Sequence, residues 1–304
     1  MKSAVIGIGS NSVRALMAES EGGTFARLWR DRAGTRLFAG LDEAGNLSRE
    51  SIRKTAEAAG AMAEEARRRG ADRVSVFATS AARDAANGPA FIAEIARTTG
   101  TEPEIITGEE EAVLSFLGAS QVAPDTGRCG VIDIGGGSTE IVIGEGDQID
   151  CAFSCQMGAV RLYQAIQLEN KGDMVIAEKA AKEILREKLA EVGTFPSPAC
   201  WIGTGGTFTT LAAMVKKIPW TDRTSMHGTR VSRAEIRFIG EELADMSLEE
   251  RKKLPGLQPG RADIVVHGIC ILLAVMEHIG IERIIVSEWG NLDGYLRRSL
   301  GISD

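Results

Sequence analysis

A chain of 304 residues with 44% hydrophobic and 25% charged side chains has enough apolar material for a buried core, and its length favours two domains over one. The net charge of −7 argues against a general nucleic-acid binder, whose surface would be basic, but leaves room for an anionic ligand in a locally positive site. No run approaches the roughly 18 apolar residues of a membrane helix, and Met1-Lys2-Ser3 leads into a short strand, so a cytoplasmic protein with no membrane partner is expected. The five cysteines, Cys129, Cys151, Cys155, Cys200 and Cys270, are odd in number and lack zinc spacing, which predicts reduced thiols packed in the core.

In chain order, residues 2–9, 12–20 and 23–31 read as an antiparallel meander, the second strand starting directly after Gly9-Ser10-Asn11. Ser48 offers the start of an alanine-rich helix over 52–69 that ends at Gly70. A strand at 73–78, the stretch Thr79 to Asn87, a helix over 89–99, a strand at 104–107 and a helix over 109–121 follow. That alternation implies parallel pairing beyond the meander. The linker Ala123-Pro124-Asp125-Thr126-Gly127 marks a boundary between a lobe at 1–124 and a lobe at 125–304, with the last helix free to pack back on the first.

Beyond the linker the pattern returns, with strands at 129–134, 138–144 and 148–155, a helical segment from Gly158 and a charged helix over 174–192. A strand at 199–202 runs into the turn Gly203-Thr204-Gly205-Gly206-Thr207, which opens a helix through Met214. Ser232 caps a further helix, Pro255-Gly256 breaks the chain, and an apolar helix covers 262–279. A strand at 283–287 and a helix over 292–300 close it.

The organising stretch is Val131-Ile132-Asp133-Ile134-Gly135-Gly136-Gly137-Ser138-Thr139-Glu140. An apolar strand reaches an aspartate and breaks into three glycines whose N–H groups can point into one anion-binding concavity, while the carboxylate suits a metal bridging phosphate oxygens. Ser138, Thr139 and Glu140 add two hydroxyls and a second carboxylate. Val5 to Ser12 repeats Val131 to Ser138 in constant register, with Val, Ile, Ile, Gly and Ser identical, so two similar half-molecules are expected. Gly203 to Gly206, just ahead of a helix N-terminus, read as a further phosphate edge, and Arg83 follows a strand end where loops commonly carry ligands. Arg14 and Arg161 stay open between phosphate ligands and structural pairs. His227, His267 and His278 lack ligand spacing and read as packing, and Lys252-Lys253 as a solvated face.

Taken together, Gly9-Ser10-Asn11-Ser12-Val13-Arg14, Ala78-Thr79-Ser80-Ala81-Ala82-Arg83-Asp84-Ala85, Thr107-Gly108-Glu109-Glu110-Glu111-Ala112, Asp133 to Glu140, Met157-Gly158-Ala159-Val160-Arg161, Gly203 to Thr207 and Leu254-Pro255-Gly256-Leu257 resemble the exopolyphosphatase and guanosine pentaphosphate phosphatase family, in its short two-domain form. The resemblance covers nearly the whole chain. It implies an α/β protein of two ribonuclease-H-like domains, the actin-like ATPase superfold, with an interdomain cleft where the duplicated turns grip one oligoanion. It implies hydrolysis of a terminal phosphoanhydride of inorganic polyphosphate or guanosine pentaphosphate, with Mg2+ as cofactor. By motif, Glu111 is the base that readies water, and Glu140 assists it or joins Asp133 as a metal ligand. Gly9, Ser10, Asn11, Ser12, Arg83, Gly135, Gly136, Gly137, Ser138, Thr139, Gly203, Thr204, Gly205 and Gly206 are the phosphate-binding set. A homodimer is left open, since nothing in these residues sets the oligomeric state.

Two departures stand out. Gly7 replaces the family's first aspartate, as the internal repeat says independently by aligning it with Asp133, and Ser287 to Gly294 departs from the relatives' Gly-Leu-Arg followed by an acidic residue and Gly. Losing an acid at position 7 should weaken magnesium binding, which keeps a polyphosphate or alarmone sensor of weak catalytic power as the rival to a hydrolase. A sugar or acetate kinase of the same superfold fits less well, since such kinases need an acceptor pocket and usually a longer chain, and Glu111 with Glu140 suits a water-activating site better.

Overall fold

A computed structural model of the chain describes residues 1–21, 24–42, 44–123 and 127–302; Pro124, Asp125 and Thr126 of the expected linker lie outside them. The chain divides into two compact units, Met1–Gly118 with Asn291–Asp304, and Ala119–Gly290.

The first unit opens with β1 (Lys2–Ile8), β2 (Val13–Glu21) and β3 (Thr24–Ala33) as an antiparallel meander. There follow a short 3-10 turn at Leu37–Gly40, α1 (Arg49–Arg68), β4 (Arg73–Ala78), α2 (Ser80–Asp84), α3 (Gly88–Thr99), β5 (Glu104–Ile105) and α4 (Gly108–Ala119). Its sheet has the order β3-β2-β1-β4-β5, with β4 and β5 parallel to β1. Alternate residues of β1 serve opposite faces, as period two requires. Ala4 packs with Met17 and Ala66 of α1, whereas Val5 packs with Leu16, Phe77 and Leu292.

Ser48 caps α1 by accepting from the Ser51 amide, as expected. The strand expected over 104–107 stops at Ile105 because Thr107 starts α4 instead. Its hydroxyl accepts from the Glu110 amide at 3.1 Å and the Glu110 carboxylate accepts from the Thr107 amide at 2.7 Å, a reciprocal capping box.

The second unit repeats the plan with β6 (Cys129–Ile134), β7 (Thr139–Glu145), β8 (Gln148–Cys155), α5 (Ala159–Ala165), α6 (Met174–Val192), β9 (Cys200–Thr204) and α7 (Gly206–Lys216). It continues through α8 (Arg223–Met226), β10 (Arg230–Ser232), α9 (Arg233–Asp245), α10 (Leu248–Arg251), α11 (Val265–Ile279) and β11 (Arg283–Val286). The sheet order is β10-β11-β9-β6-β7-β8, again a meander followed by parallel strands. All six residues of β6 are buried, which explains its continuous apolar reading. The apolar helix begins at Val265, after a 3-10 turn at Pro259–Arg261. β10, too short for a pattern signal, adds an antiparallel edge to β11. The last helix, α12 (Asn291–Ser299), belongs to the first unit and lies on β1 and β2. Among the described residues no helix is long and apolar enough to cross a membrane.

Candidate functional site

The duplicated motifs fold into the same turn. In the first unit the Gly9 amide donates to the Ser12 carbonyl at 3.0 Å, and in the second the Gly135 amide donates to the Ser138 carbonyl at 3.0 Å. What orients each turn is the capture of its carbonyl oxygens. The Gly135 carbonyl accepts from Ala159, the Gly136 carbonyl from Val160 and Arg161 at the start of α5, and the Gly137 carbonyl from Arg161 Nε at 2.8 Å. In a trans peptide the N–H points opposite to the C=O, so the amides of Gly136, Gly137 and Ser138 face away from α5 as a group. The first unit uses a different clamp to the same end: the Ser10 carbonyl accepts from Phe38 and the Asn11 carbonyl from Arg36, which turns the Asn11 and Ser12 amides outward. Ser10 Oγ lies 2.8 Å from Ser80 Oγ, tying the turn to the start of α2. Asn11 Oδ1 is buried without a hydrogen-bond partner.

Of the three consecutive glutamates that open α4, Glu109 and Glu110 are exposed while Glu111 is only 7% exposed. Glu110 is committed to the capping box, and the helical phase turns Glu111 inward. There Arg83 Nη1 donates to the Ile106 carbonyl at 2.7 Å and lies 3.4 Å from Glu111 Oε2. Arg83 Nη2 is buried without a hydrogen-bond partner. On the other oxygen, Asn291 Nδ2 lies 3.5 Å from Glu111 Oε1, and Arg14 Nη2 donates to Asn291 Oδ1 at 3.0 Å. Arg14 therefore has a protein partner. Asn291 went unrecognised in the sequence, where its partners at 14 and 111 are far away.

In the second unit Asp133 and Glu140 are directly opposed across the antiparallel pair β6–β7, 8% and 1% exposed respectively, and Ser154 Oγ donates to Glu140 Oε1 at 2.8 Å. Two carboxylates opposed on one sheet face repel each other unless a cation lies near. Magnesium usually takes one or two carboxylates and leaves its other positions to water and phosphate, so this donor pair fits it, although among the described residues no three His, Cys, Asp or Glu side chains converge on a point. Gly205 holds φ +97°, and a Cβ there would stand 2.9 Å from both Asp133 Oδ1 and the Ile134 carbonyl. Only glycine lets the Gly203–Gly206 turn lie against Asp133.

Two of the expected ligand hydroxyls are engaged within the protein. Thr139, fully buried, donates to the Met157 carbonyl at 2.6 Å, and Thr204 Oγ1 donates to the Trp289 carbonyl at 2.7 Å. Arg161, besides its bond to Gly137, donates to Gln156 Oε1 at 2.8 Å. His267 Nε2 meets the Ile166 carbonyl at 2.8 Å, and His227 stacks on Trp289. The five cysteines are free thiols; Cys129, Cys155 and Cys270 are buried, Cys151 and Cys200 half-buried.

Position 7 is closed. A Cβ on Gly7 would lie 2.7 Å from Leu292 Cδ2 and 3.0 Å from Phe77 Cζ, so the space an acid would need is occupied by the apolar side chain of α12.

Two sheets of corresponding strand order, each with a glycine turn between its first two strands, define an α/β protein built of two similar units. Residues 16–301 match the model of the Ppx/GppA phosphatase family. The chain is 35% identical over 312 residues to Exopolyphosphatase 2 of Mycobacterium tuberculosis, covering 96% of each. The crystal structure of the Aquifex aeolicus member of the Ppx/GppA family superposes with a TM-score of 0.82 at 29% identity, over 99% of this chain and 97% of its own. That of an exopolyphosphatase-like protein gives 0.90 at 30%, over 98% of both. The chain belongs to the Ppx/GppA phosphatase family, and with it is a phosphoanhydride hydrolase.

Proposed function

We propose that this enzyme is an exopolyphosphatase, releasing phosphate from the end of inorganic polyphosphate. The observation that carries the reading is the burial of Glu111 beside Arg83: one carboxylate of three is taken out of solvent and faces a guanidinium whose Nη2 awaits a partner. The name of the Mycobacterium tuberculosis relative supports the substrate. In the first unit the turn amides of Asn11 and Ser12 hold phosphate oxygens and Arg83 Nη2 donates to the terminal phosphoryl group; in the second, the amides of Gly136, Gly137 and Ser138 form a phosphate cradle of their own. Glu111 accepts a proton from the attacking water; the new P–O bond forms as the terminal anhydride P–O bond breaks, and the shortened chain departs. Asp133 and Glu140 would hold a magnesium ion, which when bound would neutralise charge on the phosphate oxygens. Guanosine pentaphosphate as a further substrate and a cytoplasmic location belong to the same proposal.

The test is phosphate release from long-chain polyphosphate with magnesium. Glu111→Gln is expected to lower kcat by about 10²–10⁴ while leaving polyphosphate binding intact. A Glu111→Gln chain that turns over normally would sink the assignment. The closed position 7 favours one second reading, a polyphosphate or alarmone sensor, and tight binding by the native chain with no phosphate release at any magnesium concentration would establish it.

A further inference from the structure

We propose that Asn291 is a positioning residue that sets the orientation of the Glu111 carboxylate, a role that rests on Glu111 being the base. The side chain is 2% exposed, at the first residue of α12. Its amide has a defined sense. Arg14 Nη2 lies 3.0 Å from one end, and a guanidinium offers donors only, so that end is the carbonyl oxygen Oδ1. The NH2 end must then face Glu111 Oε1, at 3.5 Å. The flipped amide would set donor against donor at Arg14 and oxygen against carboxylate at Glu111. Arg14 thus acts through Asn291 by deciding which end of the amide the glutamate meets.

The second carboxylate oxygen faces Arg83 Nη1 at 3.4 Å, and that nitrogen is pinned by the Ile106 carbonyl at 2.7 Å. With a fixed donor opposite each oxygen, the plane of the carboxylate is set from both sides. Both contacts are long, as catalytic hydrogen bonds often are before substrate arrives. The donors themselves are rigidly held. α12 sits so close to α4 that a Cβ on Gly294 would fall 1.9 Å from the Leu114 carbonyl. Arg27 pairs with Asp293 at 2.6 Å, and Phe77 stacks on Tyr295 with ring centres 5.2 Å apart. A helix clamped at successive residues keeps Asn291 from sliding along Glu111.

The decisive variant is Asn291→Asp, which keeps the shape and the oxygen that accepts from Arg14 but replaces the donor facing Glu111 with a second acceptor. Measured on the whole chain with saturating polyphosphate, kcat should fall about tenfold or more while KM stays within about twofold and the urea midpoint is retained. In the Glu111→Gln background the same substitution should change the residual kcat by less than about twofold, because the group it orients is gone. Unchanged kcat in Asn291→Asp, or an equal loss in both backgrounds, overturns the positioning role. Normal turnover by Glu111→Gln alone overturns it through the base assignment instead, and the Glu111→Gln arm shows which of the two has failed.

Discussion

Placing an aspartate at position 7 should cost stability before it changes anything else. The new Cβ would stand 2.7 Å from Leu292 Cδ2 and 3.0 Å from Phe77 Cζ, against a comfortable carbon separation of about 3.5–4.0 Å. Leu292 is 8% exposed and packed among Val5, Leu16, Phe77 and Tyr295, so it yields by shifting the α12 contact rather than by swinging into solvent. Overpacking of this kind typically costs about 1–3 kcal/mol. The obstruction is the end of a side chain rather than backbone, which puts the overpacking part of Gly7→Asp near about 1–2 kcal/mol; burying a carboxylate beside Leu292 and Phe77 adds to it, so the urea midpoint should fall by at least roughly 0.5 M. Leu292→Ala alone should cost about 2–5 kcal/mol through the cavity it leaves. Combined, each substitution relieves the other, so the double variant should be more stable than the sum of the two costs by at least about 1 kcal/mol. Urea unfolding of the four chains measures this directly. The magnesium concentration giving half-maximal phosphate release should also fall further in the double variant than in Gly7→Asp. A Gly7→Asp chain as stable as the native one, or two costs that simply add, would refute the reasoning.

Arg83→Lys keeps a positive charge but cannot span the Ile106 carbonyl, Glu111 and an anion at once, so kcat/KM for polyphosphate should drop by about tenfold or more. Thr139→Val removes the donor to the Met157 carbonyl in a fully buried setting, with an expected loss of about 1–3 kcal/mol in urea unfolding and little change in KM. A large rise in KM would mean that the Thr139 hydroxyl meets substrate after all. Burial, the largest cause, pushes the Cys129 and Cys155 thiols up to about 12. At pH 8 only about one in ten thousand of each is thiolate, so a disulfide reagent should label neither until urea opens the fold.

The strands and the repeat were legible because both depend on local order: period-two alternation, and a glycine break after an apolar run. The glycine turn after Asp133 was legible for the same reason, although the clamp that aims its amides comes from Ala159 to Arg161, beyond any local signal. Glu111 was ambiguous among three glutamates only while the Thr107-x-x-Glu110 capping box went unread. That box assigns Glu110 to the helix end, and one further residue of helical rotation turns Glu111 inward. Thr139 and Thr204 looked like ligands because hydroxyls beside a glycine turn suit phosphate, yet nothing local announces the carbonyls of Met157 and Trp289 that they meet.

The two stretches that the sequence resemblance set apart, around Gly7 and around Asn291, are far apart in sequence but neighbours in space. Leu292 lies over Gly7, and its neighbour Asn291 reaches Glu111 with Arg14 behind it. The space over Gly7 is filled and Arg14 has a partner. The start of α12 supplies both the apolar packing over Gly7 and the amide donor beside Glu111. A chain that had merely lost its chemistry would have no reason to keep that glutamate buried, faced by donors on both oxygens and backed by a second arginine.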